Sequence, residues 1–128
     1  MIKKLKVQSS YRNEIIDITS LIQQEISNIG NGAVIVFIPH TTCGITINEN
    51  ADPDVKNDIL TWLNSRIPQL DGFSHAEGNA DSHIKTLLTG SSVHLIIENG
   101  QLILGTWQGV YFCEYDGPRL RNVILKTL

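Results

Sequence analysis

The chain reads as an α+β domain, with a mostly antiparallel, β-sandwich-like core of about seven strands and two or three helices. Three observations predict this. Short apolar or alternating runs recur along the chain. Turn signals such as Asn99-Gly100 and Asp116-Gly117-Pro118 separate the later runs. Helical spacing of apolar residues is confined to the first two-thirds. At 128 residues the chain is expected to form a single domain, residues 1–128.

Taken in order, residues 2–7 alternate apolar and polar, which suits an exposed or edge strand. In residues 17–29, Ile18, Leu21, Ile22, Ile26 and Ile29 share one helical face, with Asp17 or Thr19 as the cap. Gly30 and Gly32 bracket its end. Residues 33–38 are apolar on both faces and predict a central strand covered on both sides. That strand delivers Pro39-His40-Thr41-Thr42-Cys43-Gly44, and residues 45–48 alternate as the next strand.

Asp52 suits a helix N-cap, and Pro53 the first helical position, where its missing N–H costs nothing. Val55, Ile59, Trp62, Leu63 and Arg66 then recur at helical spacing until Pro68. Asn79 can cap a short helix over residues 80–88, ended by Gly90. On that helix Ala80, His83, Ile84, Leu87 and Leu88 share a face expected to point inward, while Asp81 and Lys85 pair on another. Residues 93–97 and 102–104 form a hairpin around Asn99-Gly100, and residues 110–115 and 121–128 complete the strands. The Gly105 to Gly109 loop either lets backbone approach a ligand or forms a bulge with Trp107 buried.

Composition narrows function mainly by exclusion. A net charge of -3 argues against nucleic-acid binding. The longest apolar run, six residues, is too short to span a membrane, and the basic N-terminus lacks a signal-peptide core. Two cysteines, Cys43 and Cys113, do not make a disulfide framework. Free thiols in a reducing, cytoplasmic setting are the expectation.

Chemistry concentrates in residues 74–85, which hold His75, Glu77, Asp81, His83 and Lys85. Neutral imidazoles bind zinc-like metals, and three protein ligands with an open position suit catalysis. His40, His75 and His83 are therefore the candidate ligands, although their spacing matches no short zinc motif. The bland alternatives are a helix-cap role for His75 and a satisfied core position for His83. Asp81 can orient a histidine, move a proton, or simply favour the helix dipole. Cys43 follows His40 closely, so it is either half of a cysteine–histidine pair or a buried thiol. For an anion, Thr41 and Thr42 offer hydroxyls and amides, Asn79 opens a helix, and Lys85 and Arg119 bring charge. Glu49 is either site-facing or a solvated turn residue.

These segments resemble the YjbQ-type family, also called the secondary thiamine-phosphate synthase family. The matching blocks run from Pro39-His40-Thr41-Thr42-Cys43-Gly44 to Asn48-Glu49-Asn50-Ala51-Asp52-Pro53, and continue with His75-x-Glu77-Gly78-Asn79-Ala80-Asp81-Ser82-His83-x-Lys85. They end with Ser92 through Gly105-Thr106-Trp107-Gln108-Gly109-Val110, then Glu114-x-Asp116-Gly117-Pro118-Arg119.

The resemblance implies a compact β-rich homotrimer with His40, His75 and His83 as candidate ligands of a divalent metal, zinc or magnesium, and no organic cofactor. It also implies a weak thiamine-phosphate synthase activity. In that reaction a thiazole phosphate displaces pyrophosphate from a hydroxymethylpyrimidine diphosphate. On this expectation Asp81, His83 and Cys43 are the catalytic candidates. Thr41, Thr42, Asn79, Lys85 and Arg119 bind phosphate, and the partner is a small phosphorylated metabolite. The competing expectations are a non-catalytic trimeric metal- or anion-binding module, or a polar cluster that only knits subunits together.

Overall fold

A computed structural model describes residues 1–70 and 72–128. Eight strands and three helices follow in the order β1 (Ile2–Gln8), β2 (Glu14–Asp17), α1 (Thr19–Ile26), β3 (Gly32–Phe37), β4 (Cys43–Glu49), α2 (Pro53–Arg66), α3 (Ala80–Thr89), β5 (Ser92–Glu98), β6 (Gln101–Ile103), β7 (Gln108–Glu114) and β8 (Leu120–Thr127). They form a five-stranded sheet, β1-β8-β3-β5-β6, and a three-stranded sheet, β2-β7-β4. Every paired strand runs antiparallel. This is the expected α+β class. The strand missed in the sequence is β2, whose four residues are too few to display a period.

One apolar cluster draws on both sheets and α1. It contains Val34, Val36, Leu95, Ile97, Val123 and Leu125 from the large sheet, Ile45, Val110 and Phe112 from the small one, and Ile18, Ile22 and Ile26 at the helix. The α1 stripe was legible because apolar residues four apart share a helix face. The helix is shorter than its pattern, with Asp17 Oδ1 accepting the Thr19 amide at 2.9 Å. A second cluster, Ile15, Tyr111, Cys113 and Tyr115, lies under Ile59, Leu60 and Leu63 of α2. Strand β7 is thus buried on both faces, and it is the central strand of the small sheet.

Three expectations are corrected. Strand β3 is covered on one face only: Val34 and Val36 are buried, while Phe37 is 41% exposed. Ile35, Phe37, Ile96, Ile103 and Ile124 therefore lie on an uncovered face of the large sheet, by register. Trp107 is exposed, which removes the alternative of a bulge with that ring buried. Helix α3 is turned relative to its apolar pattern. It buries Asp81, Ser82 and Lys85 and exposes Leu87 and Leu88. The physical reason is a set of polar anchors. Ser82 Oγ donates to the Tyr115 carbonyl at 2.6 Å, and Asp81 and Lys85 find buried partners.

The α2 cap and the later hairpin turn follow the sequence, whereas Ile18 occupies the N-cap of α1 in place of Asp17 or Thr19, with no side-chain cap bond of its own. Asp52 accepts the Asp54 amide ahead of Pro53, and Asn99 and Gly100 both take positive φ in their hairpin. Gly44 lets α3 settle against β4, since a Cβ there would lie 2.7 Å from the Gly90 carbonyl oxygen and 2.9 Å from the Thr89 Cβ.

Candidate functional site

The site lies where several strands begin or end. Strand β3 leads into residues 38–42, β7 runs out at Glu114, and β8 begins near Arg121. Glu114 and Arg121 close this end from opposite sheets. Arg121 Nε donates to Glu114 Oε1 at 2.9 Å and its Nη2 to Glu114 Oε2 at 2.5 Å. Both residues are buried, and Ser9 Oγ adds a 2.7 Å donation to Glu114 Oε1. Arg121 Nη2 also donates to Thr42 Oγ1 at 2.9 Å. With one lone pair of Thr42 so engaged, its hydroxyl proton is free to be offered to an acceptor.

Above this pair lies a polar cleft of about 280 Å³. It is lined by Thr41, Thr42, Arg119 and Arg121 together with His75, Glu77, Asn79, His83 and Asp116. His75 and His83 meet edge to face, with ring centroids 5.1 Å apart. Arg119 is held by Asp116, through Nε to the backbone carbonyl at 2.8 Å and Nη2 to the carboxylate at 3.2 Å. Among the described residues, Nη1 of neither Arg119 nor Arg121 takes a hydrogen bond, so both retain donors for a ligand.

Asn79 occupies the N-cap position of α3 without capping it. Its Nδ2 donates instead to Asp116 Oδ2 at 2.8 Å. A carboxylate only accepts, so the amide nitrogen must face Asp116, and Oδ1 is left buried without a partner. Asn79 thus ties the start of α3 to the turn carrying Arg119.

Two further clefts adjoin. One of about 580 Å³ shares Thr41, Thr42 and Arg121 with the polar cleft, and adds Phe37, Pro39, His40 and Ser91. Another, near Leu87, shares Thr41 and His83. Thr41 borders all three.

Several expected site residues are not free for chemistry. Asp81 is 1% exposed and accepts both Arg12 terminal nitrogens at 2.9 Å. Its partner Lys85 is equally buried, and donates to Asp81 at 3.0 Å, Asn13 at 3.2 Å and Asn64 at 2.9 Å. These three bonds exhaust the ammonium protons, so Lys85 has none left for a phosphate. Burial pushes the Asp81 carboxyl upward, and the bonds from Arg12 and Lys85 outweigh that, holding it below the ordinary aspartate value. The pair is an anchor of α3, not an acid–base group of the cleft.

Cys43 is fully buried and burial raises its pKa to about 12, so it is a thiol at neutral pH and no nucleophile. Glu49 ends β4, roughly 20 Å of strand away from Cys43, as a turn residue remote from this site.

His40 reaches the site region but is engaged. Its Nε2 accepts the Asn122 amide at 2.9 Å, so the neutral ring carries its proton on the other nitrogen. Burial lowers its pKa, and the nearby Arg121 charge adds to that effect. A metal would therefore find nitrogen donors at His75 and His83 but not at His40. Among the described residues no three His, Cys, Asp or Glu side chains gather as a metal set. The three-histidine set expected from the sequence does not fit this chain as folded.

The residues the sequence reading missed are Arg121, Ser9 and Asn122; Glu114 was seen as an acid, but not as the partner of Arg121. Arg121 opens a strand of alternating residues, so it read as an ordinary strand end. A buried arginine needs a carboxylate, and the acid at Glu114 was its only sequence-level hint.

A two-sheet α+β domain with a histidine–arginine–threonine cleft at one end defines the class. A sequence-family profile described as UPF0047 protein YjbQ-like matches residues 3–128, and the chain belongs to this YjbQ/UPF0047 family. It is 49% identical to the UPF0047 protein YugU of Bacillus subtilis, covering 100% of this chain and 99% of that protein. A UPF0047 protein of Methanocaldococcus jannaschii is 47% identical, covering 100% and 94%. The fold is similar to a crystal structure of a YjbQ/UPF0047 family protein from Clostridium acetobutylicum, with a TM-score of 0.94, 50% identity and coverage of 98% and 99%. A conserved hypothetical protein from Thermus thermophilus gives 0.93 at 40% identity, covering 98% and 99%.

Proposed function

We propose that the protein is a small transferase acting on phosphorylated metabolites, with the polar cleft holding a phosphate or diphosphate. The observation that carries this reading is the convergence of Arg119, Arg121, Thr41 and Thr42 with His75 and His83 on one cleft. The resemblance supplies the reaction: displacement of pyrophosphate from a hydroxymethylpyrimidine diphosphate by a thiazole phosphate.

In this reading the cleft works on the leaving group. The Nη1 donors of Arg119 and Arg121, and the Thr42 hydroxyl aimed by Arg121, meet charge that grows on the diphosphate oxygens. These donors are held in place beforehand by Asp116 and Glu114 and need little reorganisation. In this reading His83 or His75, which line the same cleft, holds a proton at those oxygens. Metal assistance, by zinc or magnesium, rests on these two histidines alone, and no step here depends on it. The activity is secondary in strength on this proposal, and the assembly a homotrimer in the cytoplasm.

The test is a pyrophosphate-release assay with both substrates. His83→Ala and Arg119→Ala, both on the accessible side of the cleft, are expected to lower turnover at least tenfold while circular dichroism stays native. Turnover unchanged in both variants overturns the reading.

The second reading is a non-catalytic anion-binding module. It is favoured by the burial of Asp81, Lys85 and Cys43 away from the cleft, which takes two expected catalytic groups out of reach of a ligand. Tight pyrophosphate binding with no release of pyrophosphate from the substrate pair selects it.

A further inference from the structure

The polar cleft holds acceptors among its donors, and the leaving-group chemistry uses none of them. Asp116 borders the cleft with one carboxylate oxygen unengaged. We propose that Asp116 Oδ1 accepts a hydrogen bond from the ligand, so that the cleft selects a phosphate group still carrying one O–H over an oxyanion of equal charge without one. The proposal rests on the polar cleft being an anion site.

The two oxygens of Asp116 have different surroundings. Oδ2 accepts Asn79 Nδ2 at 2.8 Å and Arg119 Nη2 at 3.2 Å. Oδ1 accepts nothing among the described residues. Asn79 Oδ1 is the one buried side-chain polar atom left without a partner among those residues, so Asp116 Oδ1, equally unpartnered, is not sealed off. The Asp116 side chain is only 16% exposed, which limits the water that can solvate that oxygen. Two bonds to Oδ2 hold the group in place, and Oδ1 is a stationary acceptor.

The charged and titratable groups around Asp116 are Glu114 on β7, Arg119 on the same turn, Arg121 on β8, Arg12 ahead of β2, and His75, Glu77 and His83 near the start of α3. The arginines draw an anion in. A carboxylate oxygen only accepts, so an anion with nothing to donate meets repulsion at Oδ1. Hydrogen phosphate, a phosphate monoester or a diphosphate end can keep one proton. Each then donates to Oδ1 while its other oxygens accept from Arg119 and Arg121. A sulfate or sulfonate has no proton to give near neutral pH. A site built to pair an O–H discriminates against the analogue lacking it, because its own acceptor is left unpaired. Glu77 also lines the cleft, but its side chain is 74% exposed, and water satisfies it when no ligand does.

Titration calorimetry of the full chain with methyl phosphate and methyl sulfate tests this. The measurement is made at about pH 5, where methyl phosphate bears one proton and one negative charge, because a phosphate monoester loses its second proton at about pH 6. Methyl sulfate has the same charge and shape without the O–H, so protonation of the histidines acts on both probes alike. Methyl phosphate is expected to bind about tenfold tighter, the worth of one hydrogen bond to a charged group. In Asp116→Asn the single amide oxygen serves Asn79 and Arg119, and the amide nitrogen meets the ligand as a donor. That variant, with native circular dichroism, is expected to bind the two esters within about twofold of each other. Glu77→Gln should keep the preference. Equal affinity of the two esters for the unaltered chain, a preference that survives Asp116→Asn, or one that disappears in Glu77→Gln overturns the role of Asp116 and leaves the anion site standing. If neither ester binds, the anion site falls and the selectivity with it.

Discussion

Asp81 and Lys85 show how a single pair can be read correctly in spacing and wrongly in place. The i,i+4 relation put them on one face, and they do bond. The pattern assumed that a charged face meets water. Arg12, Asn13 and Asn64 supply partners from distant parts of the chain, and the pair goes inside. Removing one member would leave uncompensated charge, so Asp81→Ala should destabilise the fold by about 3–5 kcal/mol in denaturant titration. The pH dependence has a definite sign. Because the folded carboxyl lies below its ordinary value, its contribution is present above about pH 4 and is lost as pH falls through the lowered value. Asp81→Asn should flatten that acid limb of the stability curve. Cys43 gives a second check at this scale. With its pKa pushed to about 12 and no exposed surface, it should resist iodoacetamide in the native state, and Cys43→Ser should leave turnover within about twofold.

Among the elements, α1 and α3 mark where periodicity informs and where it misleads. The stripe predicted the helix and most of its buried face: Ile18, Ile22 and Ile26 are buried, while Leu21, expected beside them, is exposed. Ile22→Ala should cost about 2–5 kcal/mol, measured by chemical unfolding. In α3 the apolar residues Leu87 and Leu88 point out, because Ser82, Asp81 and Lys85 already hold the inner face. No local pattern announces such anchors, since each depends on a partner far along the chain. Strand β3 illustrates a related gap: six apolar residues in a row suggested two covered faces, and the chain alone covers one. The His75 and His83 pair was legible because both fall in a short polar stretch. Arg121 was not, because its partner Glu114 belongs to the other sheet.

At the scale of the whole molecule, the large sheet leaves Phe37, Ile96 and Ile103 open, and Leu87 and Leu88 lie exposed on α3. Apolar surface of this kind suits the interface of the proposed homotrimer. On the proposed homotrimer, light scattering should return the mass of three chains, and Ile96→Glu with Ile103→Glu should lower it toward one. A single-chain mass for the unaltered protein would remove the trimer from the account. No helix among the described residues is long and apolar enough to cross a membrane. The antiparallel α+β class and most strands were readable from alternation and turns. The joining of strand ends into one cleft was not, because it arises from sheet order, and register between distant strands leaves no mark in either strand alone.

The central claim is that this cleft binds phosphate groups through Arg119, Arg121 and their neighbours. Titration calorimetry with pyrophosphate tests it most directly, on the unaltered chain and on Arg119→Ala. Saturable binding at one site per chain is expected, weakened at least tenfold by the substitution and weakened also by raised salt. Absence of binding to the unaltered chain, or equal binding to both proteins, would contradict it.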